Sequence, residues 1–285
     1  MKRSPFKITK MQGAGNDFLI FNSLSKFAST SFLEAFNEAD RSSIVKKLCH
    51  RKLSAGADGF IFIDHCSQNK FDFQWDFFNS DGSKAEMCGN AARCVAKYAF
   101  KNKIVKKDRL KFQSLAGPIE AYEEEDDLIK IKMPPIDICK LDQSLEIQNN
   151  HIEYSYIDSG VPHTVIELEH FKLDDSLKEL SRNIQKSDVF GDKSTNVTYI
   201  STNSGDSKKE VVIQSASFER GVFDFTLACG TGAVASAYYV FQKLNQKKAS
   251  FKVQVPGGDL FVEIIGNQPY LIGPAEFIAE IELYI

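Results

Sequence analysis

The sequence lacks a long hydrophobic run and any marked excess of charge of one sign, and each absence excludes a class of protein. No apolar stretch approaches the ~20 residues that a membrane helix needs. The 35 basic and 38 acidic residues leave a formal net charge of −3, which gives no electrostatic case for a nucleic-acid or anionic membrane partner. With 43% hydrophobic and 26% charged residues, the 285-residue chain has the composition of a globular protein with ample core.

Cysteines are also few, because only six occur in the whole chain. That number is too sparse for a disulfide scaffold and predicts reduced thiols in a cytoplasmic protein. The first residues carry two positive charges with no apolar segment behind them, so no secretory signal is expected.

Metal and cofactor motifs are missing as well. Cys49-His50 and His65-Cys66 are adjacent pairs, whereas zinc ligands are usually separated by about two to four residues. Gly13 and Gly15 have the spacing of a dinucleotide fingerprint, but no third glycine and no helix pattern follow them. No P-loop and no lysine setting typical of pyridoxal phosphate is evident, so we expect no cofactor and no metal.

Two short segments have the same unusual composition. Cys88-Gly89 follows a polar turn and precedes an alanine-rich run, and Cys229-Gly230 precedes a second helical run. The sequence therefore predicts a cysteine at each of two helix N-termini, where backbone N–H groups and the helix dipole stabilise a thiolate. Two buried structural cysteines would be the ordinary alternative, but the matched settings favour a functional pair.

Around these segments the chain alternates predicted strands and helices in a repeated order. Each half passes through a strand, a glycine turn, a helix, further strands and then Cys-Gly at a helix start. We therefore predict an α+β protein of two similar halves, residues 1–140 with Cys88 and residues 141–285 with Cys229, with a polar linker at residues 140–150 and an active site where the halves meet. Helices are predicted at residues 31–50, after Cys88, at 173–185 and at 234–244.

A pair of helix starts that face each other could hold a small carboxylate between two positive ends. One thiolate would then remove a proton from one face of the adjacent carbon, while the other thiol donates a proton to the opposite face. The predicted chemistry is stereoinversion at a carbon next to a carboxylate.

Eight short motifs, in this order, resemble those of the diaminopimelate epimerase family. They are Gly13-Ala14-Gly15-Asn16-Asp17-Phe18, Gly56-Ala57-Asp58-Gly59, Phe78-Asn79-Ser80-Asp81-Gly82, Cys88-Gly89-Asn90-Ala91-Ala92-Arg93, Pro162-His163, Glu219-Arg220-Gly221, Ala228-Cys229-Gly230-Thr231-Gly232-Ala233 and Pro256-Gly257-Gly258. The resemblance spans nearly the whole chain. It implies two pseudo-symmetric halves, each with a mixed or antiparallel sheet wrapped around a central helix, and a cofactor-independent epimerase that interconverts L,L- and meso-diaminopimelate for lysine and peptidoglycan precursors. A cytoplasmic homodimer is implied as well.

The resemblance also assigns roles to residues. Cys88 and Cys229 would be the acid/base pair, with His163 supporting thiolate formation. The substrate carboxylate at the reacting carbon would be held by Gly89, Asn90, Gly230 and Thr231, and Asn16 would line the same pocket. At the distal end, Arg220 suits the second carboxylate through a bidentate contact, and Glu219 suits the second ammonium group. Asn79 and Asn196 would add amide hydrogen bonds that select the stereocentre.

The chain departs from the family pattern at three positions that bear on the substrate. Val161 stands where asparagine is frequent, Phe225 where an acidic residue is common, and Gln12 where histidine is frequent. Two other hypotheses therefore stay open. One is a related two-cysteine racemase of another amino acid, such as histidine; the other is a non-catalytic thiol protein that senses oxidation or binds metal.

Overall fold

The computed structural model describes residues 6–24, 41–148, 150–203 and 211–283. Its contacts divide the chain into two compact units, Met1–Ile131 with Pro274–Ile285, and Lys132–Gly273. The sequence prediction placed the division at residue 140 and left the C-terminal segment in the second half. The contacts instead return that segment to the first unit.

The first unit consists of eight described strands and two described helices. They are β1 (Phe6–Gly13), β2 (Asn16–Asn22), α1 (Arg41–Leu48), β3 (Gly59–Asp64), β4 (Phe73–Asn79), α2 (Gly89–Lys101), β5 (Arg109–Ser114), β6 (Gly117–Glu123), β7 (Ile129–Lys132), which ends at the division, and β17 (Glu276–Leu283). β2 is parallel to β3 and β4 is parallel to β5, whereas the other pairs are antiparallel. The alanine-rich helix α2 packs on β1, β2 and β6.

The second unit has nine described strands and two described helices. They are β8 (Cys139–Ile147), β9 (Asn150–Asp158), β10 (Pro162–Glu167), α3 (Asp175–Gln185), β11 (Asn196–Asn203), β12 (Val211–Glu219), β13 (Asp224–Phe225), α4 (Gly230–Leu244), β14 (Lys248–Val255), β15 (Gly258–Ile265) and β16 (Gln268–Gly273). β10 is parallel to β11 and β12 is parallel to β14. The helix α4 packs on β12, β14 and β15, and its interior positions are buried.

The two units have the same strand pairing, which confirms an α+β fold with a mixed sheet around a helix. In the first unit the antiparallel hairpin β1–β2 is followed by β3, which is parallel to β2, and by β4, which is antiparallel to β3 and leads to α2. In the second unit β9–β10, β11 and β12 are paired in the same order and lead to α4. The strand beside the hairpin is β8 in the second unit and the final strand β17 in the first.

Three expectations about secondary structure need comment. The polar linker predicted at residues 140–150 is wrong, because β8 occupies most of it and alternates exposed polar residues with inward residues that include Leu145 and Ile147. β16 was missed. The helix predicted at residues 31–50 is described only from residue 41, as α1, and its residues 31–40 lie outside the described residues.

Among the described residues, no helix is long and apolar enough to cross a membrane.

Candidate active site

Cys88 occupies the N-cap position of α2, as the sequence predicts. Its backbone is extended (φ −146°, ψ 125°), and the helix begins at Gly89. The half-buried sulfur lies 3.8 Å from Oδ1 of Asn16, which follows the first glycine turn. The positive end of the helix dipole therefore acts on this sulfur, with an amide side chain beside it.

Arg93, one turn into the same helix, places a cation in the core below Cys88. Its side chain is fully buried, and it donates to the carbonyl oxygens of Pro274 (3.1 Å) and Gly89 (3.4 Å) and to Oδ1 of Asn90 (2.8 Å). Burial lowers the pKa of Arg93, whereas negative charge on Cys88 or on Cys94 would raise it. The cation and a thiolate on Cys88 therefore stabilise each other.

Asn16 belongs to a charged network in the first unit. Its Nδ2 donates to Asp58 (2.6 Å), and Arg51 bridges Asp58 and Asp17. Lys10 adds an ion pair to Asp17 at 3.1 Å. Hydrogen bonds from Arg51 and Lys10 outweigh burial and lower the pKa of Asp17. The network fixes the Asn16 amide with its oxygen toward the sulfur of Cys88.

Asn79 is exposed at the end of β4. Its Nδ2 donates to the Ser83 hydroxyl (3.0 Å), and its backbone N–H donates to the Ser83 carbonyl (2.9 Å). These contacts fix the turn that precedes Cys88. A hydrogen bond from Asn79 to a substrate remains a prediction.

Cys229 occupies the N-cap of α4 and is buried, with 8% of its surface exposed. Its sulfur accepts from the backbone N–H of Gly232 (3.4 Å) and lies 3.4 Å from the Thr231 hydroxyl. Burial raises the pKa of the Cys229 thiol well above its usual range, and the nearby Glu219 carboxylate raises it further. Contacts of the sulfur with Thr231, Gly232 and Ser217 act in the opposite direction.

Glu219 ends β12 and Arg220 follows it, and the two side chains contact different partners. Glu219 hydrogen-bonds Thr226 and the Cys229 thiol, and burial raises its pKa. The guanidinium of Arg220 donates to the carbonyl oxygen of Lys193. Glu219 is thus placed at the thiol, which favours a role at the reacting centre over binding of a distal ammonium group.

His163 is fully buried near Cys229, at the start of β10. Its Nε2 lies 2.9 Å from the Thr231 hydroxyl, and its Nδ1 lies 2.8 Å from the Thr198 hydroxyl. Asn196, also buried, lies beside the ring. Burial lowers the pKa of His163 to about 3, so this histidine is neutral at physiological pH.

Each unit therefore brings part of the predicted set together. Asn16, Gly89 and Asn90 accompany Cys88, whereas His163, Asn196, Glu219, Gly230 and Thr231 accompany Cys229. Sequence reasoning missed the contributions of Asp17, Arg51, Thr198 and Ser217. Strand alternation did not single out Thr198 or Ser217, because both faces of β11 and β12 are buried around them.

Within the described ranges, no group of three or more His, Cys, Asp or Glu side chains could hold a metal ion.

Solved structures with a similar backbone show the fold. A hydroxyproline epimerase from Agrobacterium vitis matches with a TM-score of 0.68 and 13% identity, covering 100% of this chain and 93% of that one. A phenazine biosynthesis protein of the PhzF family from Bacillus anthracis matches with a TM-score of 0.69 and 14% identity, covering 99% of this chain and 100% of that one.

Sequence relatives show the family. The family model described as diaminopimelate epimerase matches residues 8–138 and 155–278. The diaminopimelate epimerase of Hydrogenobaculum sp. is 32% identical over 278 residues, with 96% of each chain covered, and that of Aquifex aeolicus is 35% identical over 252 residues, with 88% of this chain and 87% of the relative covered. The chain therefore belongs to the diaminopimelate epimerase family and is an isomerase.

Proposed function

We propose that this epimerase interconverts L,L- and meso-diaminopimelate by a two-thiol mechanism that uses Cys88 and Cys229. The observation that carries the proposal is that each unit begins its central helix with a cysteine at the N-cap. Family membership supports the substrate, because relatives covering nearly the whole chain bear this name.

The mechanism needs one thiol as base and one as acid. The base thiolate takes the α-proton, so an S–H bond forms while the electron pair of the broken C–H bond stays on carbon. The second thiol then gives its proton to the opposite face of that carbon, and its sulfur keeps the electron pair as a thiolate. No oxidant, reductant or cofactor is needed for this balance.

The electrostatics of each unit assign the resting roles. Around Cys88, the buried cation of Arg93 and the helix start favour negative charge on sulfur. Around Cys229, burial and the Glu219 carboxylate raise the pKa of the thiol. We therefore assign the resting thiolate to Cys88 and the resting thiol to Cys229.

The remaining assignments belong to the same proposal. The helix-end amides of Gly89, Asn90, Gly230 and Thr231 hold the α-carboxylate, and Asn16 lines the pocket. Asn79, Asn196 and Arg220 are proposed to contact the rest of the substrate, whereas Glu219 is proposed to act at the reacting centre. Cytoplasmic lysine and peptidoglycan precursor synthesis is the proposed setting, and a homodimer, testable by light scattering, is the proposed assembly.

Solvent deuterium incorporation at the α-carbon tests the function. The chain would be incubated in D2O under reducing conditions with L,L-diaminopimelate and, separately, with histidine, glutamate and proline, and the products followed by NMR. Exchange with diaminopimelate alone is expected. Exchange with another amino acid would indicate a related racemase activity instead. No exchange with any of them would contradict the proposal.

A further inference from the structure

The buried polar side chains behind Cys229 have a hydrogen-bond direction that can be derived from one amide. Oδ1 of Asn196 accepts from the backbone N–H of Arg220 at 2.9 Å. The other end of that amide, Nδ2, therefore faces Nε2 of His163, at 3.4 Å. An amide nitrogen only donates, so Nε2 carries no proton.

The proton of the neutral imidazole is consequently on Nδ1. Nδ1 lies 2.8 Å from the Thr198 hydroxyl, which must accept from it. The hydrogen of Thr198 is then directed to the Ser217 hydroxyl, 2.9 Å away. The Ser217 hydroxyl lies next to Cys229, and its own hydrogen is the one left for a contact with the sulfur.

The other ring nitrogen of His163, Nε2, faces the Thr231 hydroxyl, which is itself near the Cys229 sulfur. The Thr231 hydroxyl is 2.9 Å from Nε2, which can only accept, so Thr231 donates to it. The oxygen of Thr231 is 3.4 Å from the Cys229 sulfur, whose thiol hydrogen is directed to the Glu219 carboxylate. His163, Thr198 and Ser217 therefore form a chain of hydrogen bonds that runs in one direction, from Nδ1 of His163 to the sulfur of Cys229.

Gly232 makes the close approach of Ser217 possible. A Cβ atom on residue 232 would lie 2.1 Å from the Ser217 hydroxyl oxygen and 3.2 Å from Cβ of Cys229. A glycine here leaves the space through which a serine on β12 reaches the first turn of α4.

We propose that Thr198 and Ser217 are positioning residues that hold His163 in its Nδ1–H tautomer and deliver a hydroxyl hydrogen bond to the sulfur of Cys229. Thr198 acts through Ser217, and Ser217 stabilises the thiolate that forms during the reaction. This bond opposes the effects of burial and of the Glu219 carboxylate, the charged group that acts most strongly on this sulfur. His163, which faces it from β10, is neutral and adds no charge.

The first arm of the test reads the tautomer without any substrate. The full-length chain is labelled with 15N-histidine, and His163→Gln identifies the signal of His163 among the five histidines. The wild type should show the proton on Nδ1. Thr198→Val removes the acceptor and should shift the population toward Nε2–H, whereas Thr198→Ser should retain the wild-type tautomer. A wild type with Nε2–H, or a Thr198→Val variant with unchanged tautomer, would overturn the proposal.

The second arm reads the thiol by iodoacetamide alkylation across pH, with peptide mass spectrometry. Ser217→Ala should raise the midpoint for Cys229 by about one pH unit or more, because hydrogen bonds to charged groups are the strong ones. The matched control is Ser215→Ala, since Ser215 is equally buried on the same strand but bonds the Ser236 hydroxyl at 2.8 Å. Equal midpoints in the two serine variants would overturn the proposal.

The kinetic arm rests on the proposed function. Ser217→Ala should slow α-carbon deuterium exchange about tenfold near neutral pH, and Ser215→Ala should not. Exchange absent from the wild type, with the tautomer and midpoint results as expected, would refute the proposed function and leave the roles of Thr198 and Ser217 in place.

Discussion

The first and second units have the same strand pairing and the same Cys-Gly helix start, yet they surround their cysteines with different chemistry. Beside Cys88 the first unit places a buried cation, Arg93, and a network of full charges around Asp17. Beside Cys229 the second unit places a neutral histidine and hydroxyl groups, with the Glu219 carboxylate. The backbone thus supplies two equivalent positions, and the side chains favour negative charge on the sulfur of Cys88 and the protonated form of Cys229.

The largest expected effect comes from removing either sulfur, because both roles are needed for inversion. Cys88→Ala and Cys229→Ala should each lower the rate of diaminopimelate inversion at least ~100-fold, the scale of a lost acid/base group. Cys94→Ala is the matched control, since Cys94 is a fully buried cysteine on the same helix as Cys88. Wild-type turnover in either active-site variant would contradict the two-thiol mechanism.

Arg93 tests the charge that distinguishes the first unit. Arg93→Met should slow deuterium exchange about tenfold near neutral pH, because the cation that favours negative charge on Cys88 is lost. Unfolding would also become easier by about 1–3 kcal/mol, since buried carbonyl oxygens lose their donor. Arg93→Lys retains the charge and should preserve more of the rate. A fully active, folded Arg93→Met variant would show that the cation does not act on the sulfur.

His163 tests the neutral character of the second unit through pH. Its pKa is about 3 in the folded chain and near 6.5 unfolded, so below pH 6.5 only the unfolded chain takes up the proton. The associated stability is complete above the unfolded pKa and is lost as the pH falls toward 3. Between pH 6.5 and 5, urea unfolding of the wild type should lose about 1.5 kcal/mol more than that of His163→Gln. His151→Gln, at an exposed histidine, should behave as the wild type; equal losses in all three would contradict a neutral His163.

The smallest expected effect concerns the charged network of the first unit. Arg51 bridges Asp17 and Asp58, but 55% of its side chain is exposed. Arg51→Ala should therefore cost less than ~1 kcal/mol of unfolding free energy, and high salt should reduce the difference. The hydrogen bonds of Thr198 to His163 and Ser217 join uncharged groups, so stability losses in Thr198→Val should not depend on salt. Salt dependence of Thr198→Val, or none for Arg51→Ala, would contradict this contrast.

The sequence predicted most of the strands and both Cys-Gly helix starts, because the signals for them are local. The polar turn after β4 and the alanine-rich run placed Cys88 at a helix start, which the structure confirms. β8 was missed because its exposed positions are charged and polar, which hid an inward row that ends in Leu145 and Ile147. β16, which contains Pro269, was missed as well.

The surroundings of the cysteines were harder to predict, because they join residues far apart in the chain. Thr198 and Ser217 meet across neighbouring strands, and His163 reaches Thr198 from 35 residues away. Strand alternation indicates which residues turn inward, but the register between strands decides which hydroxyl meets which nitrogen. The role of Arg93 was likewise invisible, because its acceptors include a carbonyl 181 residues away.

The difference between the two sulfurs can be measured most directly by alkylation of the substrate-free chain. Iodoacetamide labelling is followed from neutral to alkaline pH, and the peptides that contain Cys88 and Cys229 are quantified by mass spectrometry, with the denatured chain as a reference for equal reactivity. Cys88 should be labelled at a distinctly lower pH than Cys229, and Glu219→Gln should lower the midpoint of Cys229. A common midpoint for the two sulfurs, or a lower one for Cys229, would contradict this prediction.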